Sequence, residues 1–295
     1  WGFFRRRGDI DGYQHNRPAI RGTHPAHRQA GETDEGKAMM EDRVATAIQR
    51  VRFHAQSSRN LFGDMPVWVA FSGGKDSQVV ERIVKLSGVP YRLHYNVTGI
   101  DPPEVMKFIR EYYPECQWDK PEKYMRSLIL YHHMLPTQKA RYCCQALKEG
   151  NGEGLVITGV RWAESAKRKT RAMFRYCQKN LYYILNPIID WSEDDVWNFL
   201  ESEGLSHCSL YDEGFKRIGC VMCPLSGTAG MIRGIQRWPK IANAWYRWTE
   251  ELLAHWHEEG NHLDWIHASQ VWDWWVWREK YTRADEDTQC GLYDG

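Results

Sequence analysis

The run Val67 to Phe71 stops at Ser72 and two glycines, Gly73 and Gly74, and the chain restarts at Lys75 as a helix. Five residues rich in β-branched and aromatic side chains suit a buried strand, and the apolar residues between 78 and 86 return at helical spacing. The glycines therefore sit at a strand-to-helix turn. With no side chains in the way, backbone N–H groups can approach a ligand closely, and the start of the next helix favours negative charge. This is the chemistry of a phosphate cradle.

The stretch is neither Gly-x-x-x-x-Gly-Lys-Ser/Thr nor Gly-x-Gly-x-x-Gly, so two common nucleotide fingerprints do not apply. Ser72, Gly73, Gly74, Lys75, Asp76 and Ser77 instead match, without a departure, the Ser-Gly-Gly-x-Asp-Ser loop of the PP-loop ATP pyrophosphatases, which this chain resembles. The resemblance implies a loop that holds the pyrophosphate half of ATP while chemistry occurs at the α-phosphate. A glycine-rich connection in an ordinary α/β protein is the plainer alternative.

The chain has 295 residues, 42% of them hydrophobic, enough for one large α/β domain and an appendage. A formal charge of +1 gives no global pull on polyanions, so a nucleic-acid partner must meet a local patch. No apolar run reaches about 18 residues and no signal peptide is legible, so no membrane partner and a cytoplasmic location are expected. Residues 1–36 lack periodicity and read as an arm. Apolar residues from Met40 to Val51 recur at three and four, which predicts an amphipathic helix before the core strand.

Tyr91 to Val97 reads as a second strand, and Pro103 marks the start of another helix. Thr98, Gly99, Pro103 and Glu104 resemble a second nucleotide-facing loop of the phosphoadenosine-phosphosulfate (PAPS) reductase family. Asp101 beside them either helps hold Mg²⁺ or caps the helix. Leu155 to Arg161 reads as a third strand, closing in the Gly159-Val160-Arg161 pattern that the family places near nucleotide phosphates. Strands alternating with helices predict a doubly wound, mostly parallel sheet whose ligand crevice lies beyond the strands' carboxyl ends.

Seven basic residues face one acidic residue between 161 and 179, which predicts a flexible basic segment able to close over phosphate or sulfate. A solvated basic surface is the alternative. Arg161 and Arg171 are its strongest candidates, because they fit the family pattern. The stretch from Asn186 to Trp197 resembles the family's Pro-hydrophobic-hydrophobic-Asp-Trp-Ser-x-x-Asp-Val-Trp signature. Its expected job is structural, with Ser192 as the helix cap.

Of eight cysteines, Cys116, Cys177 and Cys208 stand alone and are expected to be packed or partly buried thiols. Cys143-Cys144 and Cys220-x-x-Cys223 can supply four thiolates, a set that suits zinc as well as iron and sulfur. An adjacent pair with a distant Gly-Cys-x-x-Cys resembles the 4Fe-4S site of adenylylsulfate (APS) reductases and of PAPS-reductase-like ATP pyrophosphatases of DNA phosphorothioation. That resemblance implies a 4Fe-4S cluster.

From Gly227 onward the chain reads as helical and rich in tryptophan. Ile241, Ala244, Trp245, Trp248, Leu252 and Trp256 fall on one predicted face. Packing is favoured over nucleobase stacking, since few lysines are interleaved.

The predicted organisation is an arm (1–36), a PP-loop domain with the cysteines (37–226), a Trp-rich helical appendage (227–284) and a tail (285–295). The resemblance spans about residues 60 to 280 and implies two enzyme classes. In the first, ATP with Mg²⁺ is cleaved to AMP and pyrophosphate, with Lys75 and Arg161 catalytic, in sulfur transfer from a donor protein; a nucleic acid is among the acceptors this implies. In the second, an APS or PAPS reductase, Cys290 attacks sulfur and a thioredoxin-like partner reduces the enzyme. The intact loop and the terminal Gln289-Cys290-Gly291-Leu292-Tyr293, where reductases carry Glu-Cys-Gly-Leu-His, favour the first. A nucleotide-sensing module without turnover is a third reading.

Overall fold

A computed structural model of the chain describes residues 34–260 and 265–278. The expectations for residues 1–33, for Cys290 and for the tail lie outside these residues. The helices are α1 (Asp34–Phe62), α2 (Lys75–Ser87), α3 (Pro103–Tyr112), α4 (Met125–Tyr131), α5 (Tyr142–Leu147), α6 (Glu193–Ser202), α7 (Gly227–Arg237), α8 (Pro239–Glu258) and α9 (Ala268–Trp277). The strands are β1 (Val67–Phe71), β2 (Tyr91–Asn96), β3 (Gln117–Asp119), β4 (Leu155–Ile157), β5 (Phe174–Cys177) and β6 (Tyr182–Leu185). The described residues divide into two compact units, one of 34–122 with 144–219 and one of 123–143 with the described residues from 220 on.

The first unit is built on a sheet of order β3-β2-β1-β4-β6-β5. All neighbouring strands run parallel except β5, which is antiparallel to β6 at the edge. This is the doubly wound, mostly parallel sheet that the alternation of strands and helices predicts. The chain winds outward from β1 through β2 to β3, then returns to β4 on the other side of β1. The winding direction therefore reverses beside β1, and ligand crevices in such sheets open at that point, beyond the carboxyl ends of the strands. The loop Ser72–Ser77 emerges there.

The sheet is covered because its strands are apolar on both faces: Val67, Val69 and Phe71 are buried, and Trp68 and Ala70 are half-buried. Helix α2 turns Val79, Val80, Ile83 and Val84 into the core, and α1 packs on α2 through buried Ala47 and Val51, four residues apart. Helix α1 is longer than the expected 40–51, since polar exposed turns extend it at both ends.

The basic segment departs from expectation. Instead of a flexible run it makes a 3₁₀ turn at Trp162–Glu164, a series of turns, and then β5. The basic run draws attention from the short strand after it, in which Phe174 stacks on Tyr183 at 5.2 Å and on His54 at 4.0 Å. β4 also stops at Ile157 rather than reaching Arg161, for a reason that lies in the loop it approaches.

The Asn186–Trp197 stretch has the structural role its sequence suggests. Ser192 Oγ accepts from the Asp195 N–H at 3.0 Å, and Asp195 Oδ2 accepts from the Ser192 N–H at 2.7 Å, a reciprocal cap on α6. The Arg50 guanidinium of α1 grips both oxygens of Asp190 at 2.8 Å and donates to the Pro187 carbonyl at 2.8 Å. The Arg50 hydrogen bonds hold the Asp190 carboxyl below the usual range against the opposing effect of burial. Ser192→Ala is expected to lower stability by about 1 kcal/mol, read as a lower urea midpoint at unchanged slope.

In the second unit, α4, α7 and α9 pack on α8. Trp245, Leu252 and Trp256 of the predicted face are buried, whereas Ile241, Ala244 and Trp248 are half-buried and Ala242, Thr249 and Leu253 are buried instead. The face is rotated because α9 brings Trp272 and Trp275 against it, Trp275 lying 4.9 Å from Trp245 between ring centres. The tryptophans thus serve packing. The Trp275 indole also donates to the Pro136 carbonyl at 2.7 Å, and the Trp256 indole to that of His133 at 2.9 Å. No helix among the described residues is long and apolar enough to cross a membrane.

Candidate active site

The loop between β1 and α2 closes on itself through hydroxyl groups. Ser77 Oγ donates to the Gly74 carbonyl at 2.8 Å and accepts from the Ser72 N–H at 3.2 Å. Gly73 has φ +69, and a Cβ there would lie 3.0 Å from Val105 and Ile109 of α3. Both the turn and the close approach of α3 require glycine.

Gly159 is required for a different reason. A Cβ at that position would sit 2.9 Å from the backbone carbon and oxygen of Asp76. The chain leaving β4 passes directly against the loop, which is why the strand ends at Ile157. Its glycine lets Arg161, two residues on, reach Asp76.

Four charges meet under the loop. Arg161 is 1% exposed; its Nε donates to Asp76 Oδ1 at 2.6 Å, one terminal nitrogen to Glu193 Oε2 at 2.8 Å and the other to the Trp191 carbonyl at 3.2 Å. Lys75 is 2% exposed, with its Nζ 3.1 Å from Glu193 Oε1 and 3.5 Å from Asp76 Oδ2. Burial opposes ionisation of Glu193, but the Lys75 charge and the Arg161 hydrogen bond outweigh it and hold its carboxyl below the usual range. Burial likewise opposes the charge of Arg161, and Asp76 and Glu193 restore and strengthen it.

Tyr211 covers the loop from the other side. Its hydroxyl accepts from the Lys75 N–H at 2.9 Å, at the first turn of α2. Burial raises its pKa well above that of an ordinary phenol, so it remains neutral.

The loop and Tyr211 border a cavity of about 180 Å³. Ser72, Gly74, Lys75, Asp76, Ser77 and Gly159 line it together with Glu164, Arg168, Tyr211 and Arg217. Glu164 pairs with both arginines, with Arg168 in a close contact and with Arg217 at 3.1 Å. Predicted and unpredicted residues therefore meet in one place. Arg171 is exposed, and its carbonyl accepts from the Trp162 indole at 2.8 Å. Gly73, Thr98, Gly99, Asp101, Arg161 and Arg171 are not among the cavity-lining residues described, and Arg161 reaches the site only through Asp76. Asp101 Oδ2 accepts from the Thr98 N–H at 2.8 Å, ordering the turn after β2 ahead of α3.

Sequence reasoning did not single out Glu193, Tyr211, Arg168 or Arg217. Glu193 looked like one of three first-turn acids, and only the return of Arg161 to Asp76 distinguishes it. Tyr211 and Arg217 carry no local signal, because they arrive from a loop more than 130 residues after Lys75.

The cysteines differ by setting. Cys116 and Cys208 are buried, and burial pushes the Cys116 thiol up to about 12 and raises that of Cys208. Cys177 is half-buried in β5. Cys143 and Cys144 lie half-buried in α5. Cys220 and Cys223 are also half-buried, on a turn whose intervening Met222 has φ +60 and whose Cys223 precedes a 3₁₀ turn.

Residues 66–226 match the family model of the phosphoadenosine phosphosulfate reductase domain, more than half of the chain. The chain belongs to this family. The matched span holds the loop, the Arg161 pattern, the Asp190-Trp191 signature and the four paired cysteines. An uncharacterized protein of Methanocaldococcus jannaschii is 30% identical over 235 residues, covering 71% of this chain. This chain spans about half of that protein, 46% of its length. The adenosine 5′-phosphosulfate reductase of Allochromatium vinosum is 26% identical over 188 residues, covering 57% of this chain and 72% of the reductase. The structure of the PAPS reductase of Candida auris aligns with a TM-score of 0.45 at 14% identity, covering 64% of this chain and 96% of that one.

Proposed function

We propose that the chain is an ATP pyrophosphatase of the PAPS reductase family, which activates an acceptor as its adenylate for sulfur transfer. The observation that carries this reading is the intact Ser72–Ser77 loop at the sheet's switch point, with Lys75 and Tyr211 fixed against it and a cavity in front. An acceptor oxygen attacks the α-phosphorus, the bond to the bridging oxygen of the β-phosphate breaks, and pyrophosphate leaves with the electron pair. Lys75 and the loop amides hold the leaving pyrophosphate, and Arg168 and Arg217 hold the outer phosphates. Arg161 holds Asp76 and Glu193 in place beneath the loop.

Four cations, Lys75, Arg161, Arg168 and Arg217, stand against three carboxylates, Asp76, Glu193 and Glu164. That small surplus does not neutralise a triphosphate, which supports Mg²⁺ as the companion of ATP. Asp76 and Glu164 are the carboxylates that line the cavity and can offer it oxygen ligands.

Cys143, Cys144, Cys220 and Cys223 are proposed to hold a 4Fe-4S cluster. Half-burial of all four suits thiolates that must be shielded yet loaded, and the donor set is the one such clusters take. When bound, the cluster supplies redox and sulfur chemistry. The names of the APS reductase relatives favour a second reading, sulfonucleotide reduction with Cys290 as nucleophile.

Anaerobically purified, cluster-loaded protein tests both. The proposal expects brown protein that converts ATP to AMP and pyrophosphate, with loss of colour and iron in Cys220→Ser. Release of ADP and phosphate overturns the pyrophosphatase. Sulfite release from APS or PAPS with a thiol reductant, abolished by Cys290→Ser, establishes the reductase in its place. Colourless protein whose bound zinc is lost in Cys220→Ser removes the cluster.

A further inference from the structure

We propose that His133, His255 and Glu259 form a binding site for a divalent transition-metal ion of the zinc class, which clamps the end of α4 to the end of α8. All three residues lie in the second unit. The site is independent of the nucleotide loop and of the cysteines.

The donor atoms already converge. His133 Nδ1 lies 3.0 Å from His255 Nε2 and 3.1 Å from Glu259 Oε2, and His255 Nε2 lies 3.4 Å from Glu259 Oε1. Zinc binds imidazole nitrogen and carboxylate oxygen at about 2.0–2.2 Å in a tetrahedron, so neighbouring ligand atoms stand about 3.3–3.5 Å apart. The separation of the two ring nitrogens and the approach of each to its own oxygen of Glu259 are at or slightly below the length of such an edge, so that either carboxylate oxygen can complete the set. Protons explain the arrangement less well. Two ring nitrogens 3.0 Å apart cannot both carry a proton pointing at the other, although each also faces a carboxylate oxygen. A cation at the centre satisfies all three contacts at once.

The chain positions each ligand by a separate device. His255 and Glu259 are four residues apart, on one face of α8 and its C-terminal cap, and that helix end favours positive charge. His133 follows α4 in the left-handed region, at φ +51. The Met134 N–H bonds back to the Ile129 carbonyl at 3.3 Å, the six-residue closure that normally carries glycine at this place. A histidine there accepts backbone strain, and its ring is thereby set against α8. The Trp256 indole locks the same residue by donating to its carbonyl at 2.9 Å, and Arg126 pairs with Glu251 at 2.7 Å one side further along the two helices.

The ligand chemistry sets the metal class. Two imidazoles with one carboxylate suit zinc, cobalt, nickel or copper and are poorly matched to magnesium or calcium, which prefer oxygen throughout. Three protein ligands leave a position for water. His133 and Glu259 are exposed and His255 is half-buried, so an ion reaches the site from solvent.

The test is titration of the full chain with ZnCl₂ and, separately, CoCl₂, on wild type, His133→Ala, His255→Ala, Glu259→Gln and a control, His207→Ala. Cobalt distinguishes this site from the cysteines, because thiolate ligation adds an intense charge-transfer band that imidazole and carboxylate do not. Wild type and His207→Ala should bind one equivalent of zinc more than His255→Ala and His133→Ala. Glu259→Gln should bind that equivalent at least tenfold more weakly. The corresponding cobalt difference spectrum should lack the thiolate band, and zinc should raise the melting temperature of wild type more than that of His255→Ala. Equal zinc stoichiometry and affinity in wild type and both histidine variants overturns the proposal, as does a difference spectrum dominated by thiolate.

Discussion

Arg161→Ala is expected to destabilise the nucleotide unit by about 3 kcal/mol, near the low end of what removal of one partner from a buried ion pair costs. Arg161 itself is fully buried, while Asp76 and Glu193 keep some contact with water, which is why the low end applies. The loss does not arise from missing attraction alone. Removing the guanidinium leaves Asp76 beneath the loop with only the longer, 3.5 Å contact to Lys75, and leaves the Trp191 carbonyl without the donor at 3.2 Å. Arg161→Lys should recover less than half of the loss, because a single ammonium cannot reproduce a fork that meets two carboxylates and a carbonyl. Asp76→Asn combined with Arg161→Ala should cost less than the two single losses added together. The readout is urea unfolding at neutral pH, and an unchanged midpoint in Arg161→Ala would refute the view that this residue organises the loop.

The same cluster has a pH signature whose sign follows from Glu193. Its folded pKa is lowered, so its contribution is complete above the ordinary glutamate value of 4.5 and is lost as pH falls through the depressed folded value. Glu193→Gln should therefore flatten the acid limb of the stability curve below about pH 4.5 and leave its basic limb unchanged.

How far the sequence discloses this site depends on where each residue lies relative to its partners. The loop is legible because strand, two glycines and helix are contiguous, so that one short stretch states its own conformation. The sheet class is legible for the same reason, through alternating strands and helices. Gly159 and Arg161 are legible only as a family pattern; their cause, a backbone passing 2.9 Å from where a side chain would be, is a long-range fact. Short edge strands escape because three or four residues carry too little pattern, and β5 is further masked by the basic run that precedes it. Glu193 escapes because a first-turn acid has a sufficient local explanation in the helix dipole, which conceals its second role. His133 escapes altogether: histidine after a short helix reads as an ordinary stop, and its partners lie 122 residues and more along the chain.

Lys75→Ala is expected to lower kcat/KM for ATP cleavage at least tenfold while leaving the fold intact. One charge-assisted contact is worth about 1.5–3 kcal/mol, or roughly ten- to 150-fold. The effect should fall more on kcat than on KM. In the structure Lys75 is already satisfied by Glu193 at 3.1 Å and Asp76 at 3.5 Å, so ground-state ATP gains only the difference between a phosphate oxygen and these carboxylates. As the bond to the α-phosphate breaks, charge grows on the leaving pyrophosphate, and the same ammonium then has more to stabilise. Glu193→Gln separates the two contributions: it removes the competing carboxylate without removing Lys75, so ATP should bind more tightly while the maximal rate changes less than in Lys75→Ala. Arg168→Ala and Arg217→Ala, at the outer end of the cavity, should raise KM with little change in kcat. If Lys75→Ala instead raises KM alone, Lys75 only binds substrate, and the assignment of its charge to the departing pyrophosphate fails.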